Sequence, residues 1–372
     1  MEKPTAIWIT NIPVPYRYRL YESFCNNERF DGRIWFDSLS YGESWATQLN
    51  EKVSYEILGG RTLSNETGKT PISFNLIRRL RAQSPDIVVL TDFSPLWIFQ
   101  TLFYMATVSK KIKLVSMTDE NRDFFSKMSF KWLRLLFRKI VLQNSQLCIC
   151  CSEQSSDHIQ AISKNIKGKT IVSYLTPEAS YYGEETTRTP GKEIHILTVC
   201  RLVELKRVDR IIKAVALLNV RASHLNWKLS IAGDGEEADK LQQLAKEVGI
   251  EKKIMFLGRV IGKNLRDLYR QSDIFMLTSY KEPWGVVVHE AMLSGLVPIV
   301  TRAVGASEMV EKAGGIVVED QIAEDTLIAR LADVLEGLIL DSAKLRELQI
   351  KIARDASQVT IDHEVAACIS AI

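Results

Sequence analysis

The chain has 372 residues, 46% of them hydrophobic and 25% charged, a balance that excludes wholesale disorder and supplies enough length for two domains with substantial cores. No segment reaches the roughly 18 consecutive apolar residues of a membrane-spanning helix, and the N-terminal stretch lacks the apolar core of a signal peptide, so a cytoplasmic protein is expected. The net charge of +3 divides unevenly: residues 1–173 carry 23 Lys and Arg against 16 Asp and Glu, and the remainder 25 against 29. An anionic partner or surface is expected for the first part alone, and no nucleic acid.

Apolar runs alternate with helix-length amphipathic segments from the start. Strands are predicted at Ala6–Thr10, Gly32–Phe36, Val53–Leu58, Ile87–Leu90, Ile112–Ser116, Leu147–Cys151 and Thr170–Ser173. Continuous apolar runs such as Ile87-Val88-Val89-Leu90 suit parallel strands covered on both faces, and the expectation is an open, doubly wound α/β sheet. The first strand runs into a polar and aromatic loop with Asn11, Tyr16 and Arg17, read either as contacts to a substrate at a strand's carboxyl end or as a staple tying the loop to the domain. The strands at Ile87 and Ile112 run on to Asp92 and to Asp119.

Lys127, Lys131, Arg134 and Arg138 recur at helical spacing among large apolar residues that include Trp132. This is either a core helix with one solvated cationic edge or an interfacial helix on anionic lipid, which would make the protein peripheral on the inner face of the cell membrane. The six cysteines form no Cys-x-x-Cys pair and are read as buried thiols, with neither metal nor disulfide. Gly68-Lys69-Thr70 and Gly168-Lys169-Thr170 end like a phosphate-binding P-loop, but its earlier glycine is Leu63 in one and Ser163 in the other, so neither supports an ATPase.

A polar stretch with Pro177 and Pro190 separates two halves, giving domains over 1–173 and 193–355, a linker over 174–192, and a last helix over 356–372. The second half repeats the alternation, with strands at Ile194–Val199, Trp227–Ala232, Lys253–Leu257, Asp273–Thr278, Val297–Thr301 and Gly315–Val318. Arg201 and Lys206 follow the first of these, two cations five positions apart in one loop, suited to a diphosphate whose charge they would neutralise in place of a metal. The turn at Gly233-Asp234-Gly235 lacks the full dinucleotide fingerprint and is read mainly as turn chemistry, with Gly233 lining a ligand.

The most informative segment is Ser279-Tyr280-Lys281-Glu282-Pro283-Trp284-Gly285-Val286-Val287-Val288-His289-Glu290. A helix beginning near Gly285 places Glu290 one turn beyond Val286 and Val287 on the same face, with Glu282 in the loop before it. Amides of the first turn suit a phosphate, and a carboxylate one turn further on suits a pair of ribose hydroxyls. His289 points away and is expected to be packed.

Two glutamates in this setting, followed by E-A-M-L-S-G-L-V-P-I-V, resemble the Glu-x7-Glu signature of retaining, nucleotide-sugar-dependent group 1 (family 4-like) glycosyltransferases of the GT-B fold. The resemblance covers the second domain well and the first thinly. It implies two Rossmann-like domains facing across a cleft, an acceptor-binding N-terminal domain, a donor-binding C-terminal domain and a last helix crossing back to the first domain. By the same resemblance Glu282 holds the transferred sugar, Arg201 and Lys206 the leaving diphosphate, and Glu290 the ribose. Trp284, Arg259 and Val260 are placed at the donor, with Arg259 and Val260 against the base.

Cys200 and Arg207 stand where the family's Gly-Arg-Leu-x-x-x-Lys-Gly loop has glycines. The first loop resembles the subgroup reading Asn-x-Pro-x-Pro-Tyr-Arg. A histidine that family members often carry after the fifth strand is missing here, and Asp119 is the nearest polar substitute. The activity implied is hexosyl or N-acetylhexosaminyl transfer from a UDP- or GDP-sugar, without metal, to a glycan or lipid-linked acceptor in cell-surface polysaccharide or glycolipid assembly. A nucleotide-sugar epimerase or a phosphorylase of the same fold, and a non-catalytic nucleotide-sugar-binding subunit, are the rivals.

Overall fold

A computed structural model of the chain describes residues 2–38, 49–59, 61–65, 68–73, 75–93, 96–120, 131–183 and 193–372, with the backbone alone for 15, 61–65, 68–72, 96, 131, 133 and 134. Two compact units divide it, one made of Met1–Leu175 with Ile361–Ile372 and the other of Thr176–Thr360.

The first unit runs β1 (Thr5–Thr10), α1 (Tyr18–Cys25), β2 (Asp31–Phe36), β3 (Tyr55–Ile57), β4 (Arg61–Asn65), β5 (Gly68–Ile72), α2 (Leu76–Gln83), β6 (Ile87–Thr91), α3 (Leu96–Thr107), β7 (Lys113–Thr118), α4 (Lys131–Asn144), β8 (Leu147–Cys150), α5 (Glu153–Ile162) and β9 (Thr170–Val172). Seven strands form one parallel sheet in the order β3-β2-β1-β6-β7-β8-β9. The strands are apolar at successive positions because both faces are covered: Ile7 and Ile9 of β1, Val88 and Leu90 of β6 enter one core, and Ala6, Trp8, Ile87 and Val89 enter the other, the period-2 alternation of a pleated strand. Every strand predicted for this half is present; β4 and β5, an antiparallel hairpin, were not expected. Lys69 lies in β5 and Lys169 leads directly into β9, so neither Gly-Lys-Thr triplet opens a helix as a P-loop must.

The second unit runs α6 (Ala179–Tyr182), β10 (Ile194–Val199), α7 (Val208–Arg221), β11 (Trp227–Ala232), α8 (Ala238–Glu247), β12 (Ile254–Gly258), α9 (Gly262–Arg270), β13 (Ile274–Leu277), α10 (Val286–Leu293), β14 (Val297–Thr301), α11 (Ser307–Ala313), β15 (Ile316–Val318), α12 (Glu324–Leu340) and α13 (Ser342–Ser357). Its sheet is parallel, ordered β12-β11-β10-β13-β14-β15. α14 (Ile361–Ala371) belongs to the first unit, where Cys368, Ala371 and Ile372 join the same core as Trp8 and Phe24.

Both sheets reverse their strand order at one place, between β1 and β6 in the first unit and between β10 and β13 in the second. In open α/β sheets the carboxyl ends of the strands at such a reversal are the usual ligand position.

Candidate functional site

In the second unit the reversal is flanked by the loop after β10 and the loop after β13. Lys206, from the first, forms an ion pair with Glu282, from the second, and the loops are tied further by Tyr280 N–H donating to the Leu205 carbonyl at 2.9 Å. Both charged side chains are mostly buried, at 21% and 12% exposure, where a charge pair is held far more firmly than on an open surface. Arg201 occupies the same loop and is exposed.

The loop that carries Glu282 is clamped by the turn after β14. Gly305 N–H donates to the Glu282 carbonyl and Ala306 N–H to the Trp284 carbonyl, both at 2.9 Å. A Cβ on Gly305 would stand 1.9 Å from the Pro283 carbonyl oxygen, so only glycine allows this approach. Gly285 then takes φ +93 and caps α10. Val286, Val287 and Glu290 are partly exposed on one face of the helix, while Val288 and His289 are buried, as the 3.6-residue period requires. His289 Nε2–H donates to the Ala356 carbonyl at 3.2 Å, and burial lowers its pKa to about 4.

Glu290 is held from two sides. Tyr182 Oη on α6 donates to Oε1 and Tyr269 Oη on α9 donates to Oε2, each at 2.9 Å. Burial pushes the Glu290 carboxyl upward, and the two phenol hydroxyls oppose that shift. Sequence reasoning gave neither tyrosine a role: Tyr182 fell in the polar linker and Tyr269 in an amphipathic helix, and no local spacing connects them to Glu290.

Other expected donor contacts fare differently. Trp284 is 2% exposed; its indole belongs to the core of the unit and offers no face to a ligand, which corrects its expected role. Gly233 brings its turn against the loop after β10: a Cβ there would lie 1.8 Å from the Cys200 carbonyl oxygen, and Leu202 N–H donates to the Asp234 carbonyl at 2.7 Å. Arg259 is exposed and Val260 partly exposed, in the segment between β12 and α9.

In the first unit Asn11, after β1, donates to Asp92 Oδ2, after β6, at 2.8 Å across the strand reversal. Asp119 lies beyond β7, close enough for its charge to act on Asp92 and Tyr16. Burial, then Asp119 and Glu120, push the Asp92 carboxyl up to about 8. Its backbone is left-handed, φ +68, a conformation costly for a non-glycine residue but tolerated best by Asp and Asn.

Arg17 does not face a ligand. It is 6% exposed, its Nη1 donates to Met117 Sδ at 2.9 Å, and Glu364 of α14 lies near enough to favour its charge. The staple reading holds for it, because the side chain turns inward under the loop. Tyr16 is partly exposed.

The cationic stripe on α4 is also revised. Arg138 is 1% exposed and doubly hydrogen-bonded to Glu120, Nε to Oε2 at 2.7 Å and Nη2 to Oε1 at 2.5 Å, so it cannot meet lipid. Lys127 lies outside the described residues, as do the side chains of Lys131 and Arg134. Trp132, Leu135 and Leu136 are exposed at 69%, 46% and 46%, three apolar side chains at i, i+3 and i+4 on one face.

Two parallel α/β sheets, each gathering charged side chains at its strand reversal, define the two-Rossmann GT-B class, and solved structures agree. HepE of Anabaena, solved with UDP, superposes with a TM-score of 0.76 over 99% of this chain and 100% of that one, at 18% identity; at that identity the likeness is one of fold. Residues 184–355, a little under half of the chain, match the family model described as glycosyl transferases group 1. It is similar to N-acetyl-alpha-D-glucosaminyl L-malate synthase of Bacillus anthracis, 33% identical over 210 residues covering 55% of this chain and 53% of that protein. A D-inositol 3-phosphate glycosyltransferase of Corynebacterium aurimucosum is 26% identical over 263 residues, covering 67% and 61%. The chain therefore spans less than two thirds of each of these relatives.

Proposed function

We propose that the protein is a retaining glycosyltransferase that moves a hexose or N-acetylhexosamine from a UDP- or GDP-sugar to a glycan or lipid-linked acceptor, in the assembly of a cell-surface polysaccharide or glycolipid. The observation that carries this reading is the Lys206–Glu282 pair at the strand reversal of the second unit, directly before the N-terminal turn of α10. Lys206 and Arg201 take the leaving diphosphate together with the amides of Val286 and Val287, whose helix end favours an anion. Glu282 holds hydroxyls of the transferred sugar and Glu290 the ribose. Arg259 and Val260 border the base. Cationic side chains neutralise the leaving group, and the scheme needs no metal.

With no nucleophile assigned, front-face attack is the consistent mechanism. The acceptor oxygen forms the new bond on the face that the leaving phosphate vacates, and that phosphate takes the acceptor proton. Asn11, Tyr16, Asp92 and Asp119 are placed on the acceptor side. Relatives whose names include D-inositol 3-phosphate and L-malate support a polar, hydroxylated acceptor.

The test is Glu282→Ala. Transfer of labelled sugar is expected to fall by at least about a hundredfold, the scale of losing a group that acts in the transition state, in a protein whose circular dichroism shows it still folded; undiminished turnover would remove Glu282 from the mechanism. Product analysis separates the rivals: a new glycoside marks a transferase, an inverted nucleotide sugar an epimerase, and a sugar 1-phosphate a phosphorylase. The exposed apolar face of α4 favours a second element of the reading, docking on a membrane surface that presents a lipid-linked acceptor.

A further inference from the structure

Resting on the nucleotide-sugar reading above, we propose that Tyr182 and Tyr269 are positioning residues for ribose recognition: they fix the Glu290 carboxylate so that its two remaining acceptor positions meet the two vicinal hydroxyls of the nucleotide's ribose. An ionised carboxylate offers about four acceptor positions, two on each oxygen. Tyr182 takes one on Oε1 and Tyr269 one on Oε2, both at 2.9 Å. What remains is one position on each oxygen, the arrangement a cis-diol needs, on a side chain that stays partly exposed.

The two phenols are themselves held. Tyr269 is buried with its ring 6.2 Å from Phe275 and 5.9 Å from Tyr182. Tyr182 stacks edge-on against Tyr181 at 5.0 Å, and the Arg266 guanidinium lies 5.1 Å from the Tyr181 ring. An aromatic wedge from α6 and α9 thus sets the carboxylate's rotation, which is what bidentate recognition of a diol depends on. The phenols also donate to the charged form, opposing the upward push that burial gives the carboxyl.

The experiment measures affinities of UDP, GDP and their 2′-deoxy counterparts by calorimetry for the full chain and for Tyr182→Phe, Tyr269→Phe and Glu290→Gln. The wild type should prefer the ribonucleotide to its 2′-deoxy analogue by about tenfold or more, the worth of a hydrogen bond to a charged acceptor. Tyr182→Phe should weaken the ribonucleotide selectively, so that the preference shrinks by about threefold or more, and Glu290→Gln should shrink it further. General loosening of the fold would weaken both nucleotides equally and leave the ratio unchanged.

Tyr182 is partly exposed, so its variant keeps the test decisive if the buried Tyr269→Phe does not fold. An unaltered ratio in a folded Tyr182→Phe, or tighter ribonucleotide binding by it, overturns the positioning role; the latter would mean the phenol competes with the ribose. Binding of neither nucleotide to the wild type overturns the nucleotide-sugar reading, and this proposal with it.

Discussion

Arg207 shows how a single position can depart from a motif and still be accommodated. It stands where relatives of the loop are expected to carry glycine, and its φ of +49 is left-handed, which costs an L-residue roughly 1–2 kcal/mol. The strain is opposed by hydrogen bonds and ion pairs to Asp209 and Glu324 and by Thr278 Oγ1, which donates to the Arg207 carbonyl at 2.9 Å. Arg207→Ala keeps the strain and loses the pairing, so it should lower stability more than Arg207→Gly does, by about 1 kcal/mol in chemical denaturation; equal losses would show that the backbone is unstrained. Asp92 offers a pH test. The folded protein keeps a proton up to about pH 8 that an unfolded aspartate releases near pH 3.9. Its contribution favours the fold below the unfolded value and is lost as pH rises toward 8. Between pH 5 and 8 the melting temperature of the wild type should therefore fall relative to that of Asp92→Asn, which retains tolerance of the left-handed backbone; parallel curves would mean that Asp92 is ionised throughout.

At the scale of elements, the helix start at Gly285 was legible because a glycine before an apolar run is a local signal, and α10 begins one residue later. The hairpin of β4 and β5 was not, because Arg61–Asn65 and Gly68–Ile72 lack period-2 alternation of apolar residues. On α4 the direction of one cation differs from the expectation: Arg138 turns inward to Glu120, which lies just beyond β7. Among the described residues Trp132, Leu135 and Leu136 form an exposed apolar set on this helix. If it docks on a bilayer, replacing these three by serine should release the protein from sedimenting vesicles of anionic phospholipid. Replacing Lys131 and Arg134 by glutamine should weaken binding and reduce its salt dependence. Retention of the triple-serine variant at wild-type levels would eliminate α4 as the docking surface.

For the whole molecule, α14 closes the core of the first unit although it comes last in the chain. Lys113 Nζ donates to the Ala371 and Ile372 carbonyls at 3.1 and 2.9 Å, and Cys368 meets Ser173 Oγ at 3.3 Å. Ending the chain after Thr360 should uncover the Trp8–Phe24 face and cost the first unit on the order of 3–6 kcal/mol, from burial of two or three apolar side chains. In calorimetry that unit's transition should move to lower temperature while the second unit's stays in place; an unshifted transition would mean that α14 only rests on the surface.

The sequence by itself determined the parallel α/β architecture, nearly every strand and the loops where charge collects, because continuous apolar runs and glycines at helix starts act over a few residues. Only the tertiary structure decided which charged and aromatic groups face the core and which meet one another. Lys206 finds Glu282 76 residues away, Tyr182 finds Glu290 108 away, and Arg17 finds Met117 100 away. The geometry of such pairs is set by sheet order and helix packing, which no local pattern encodes.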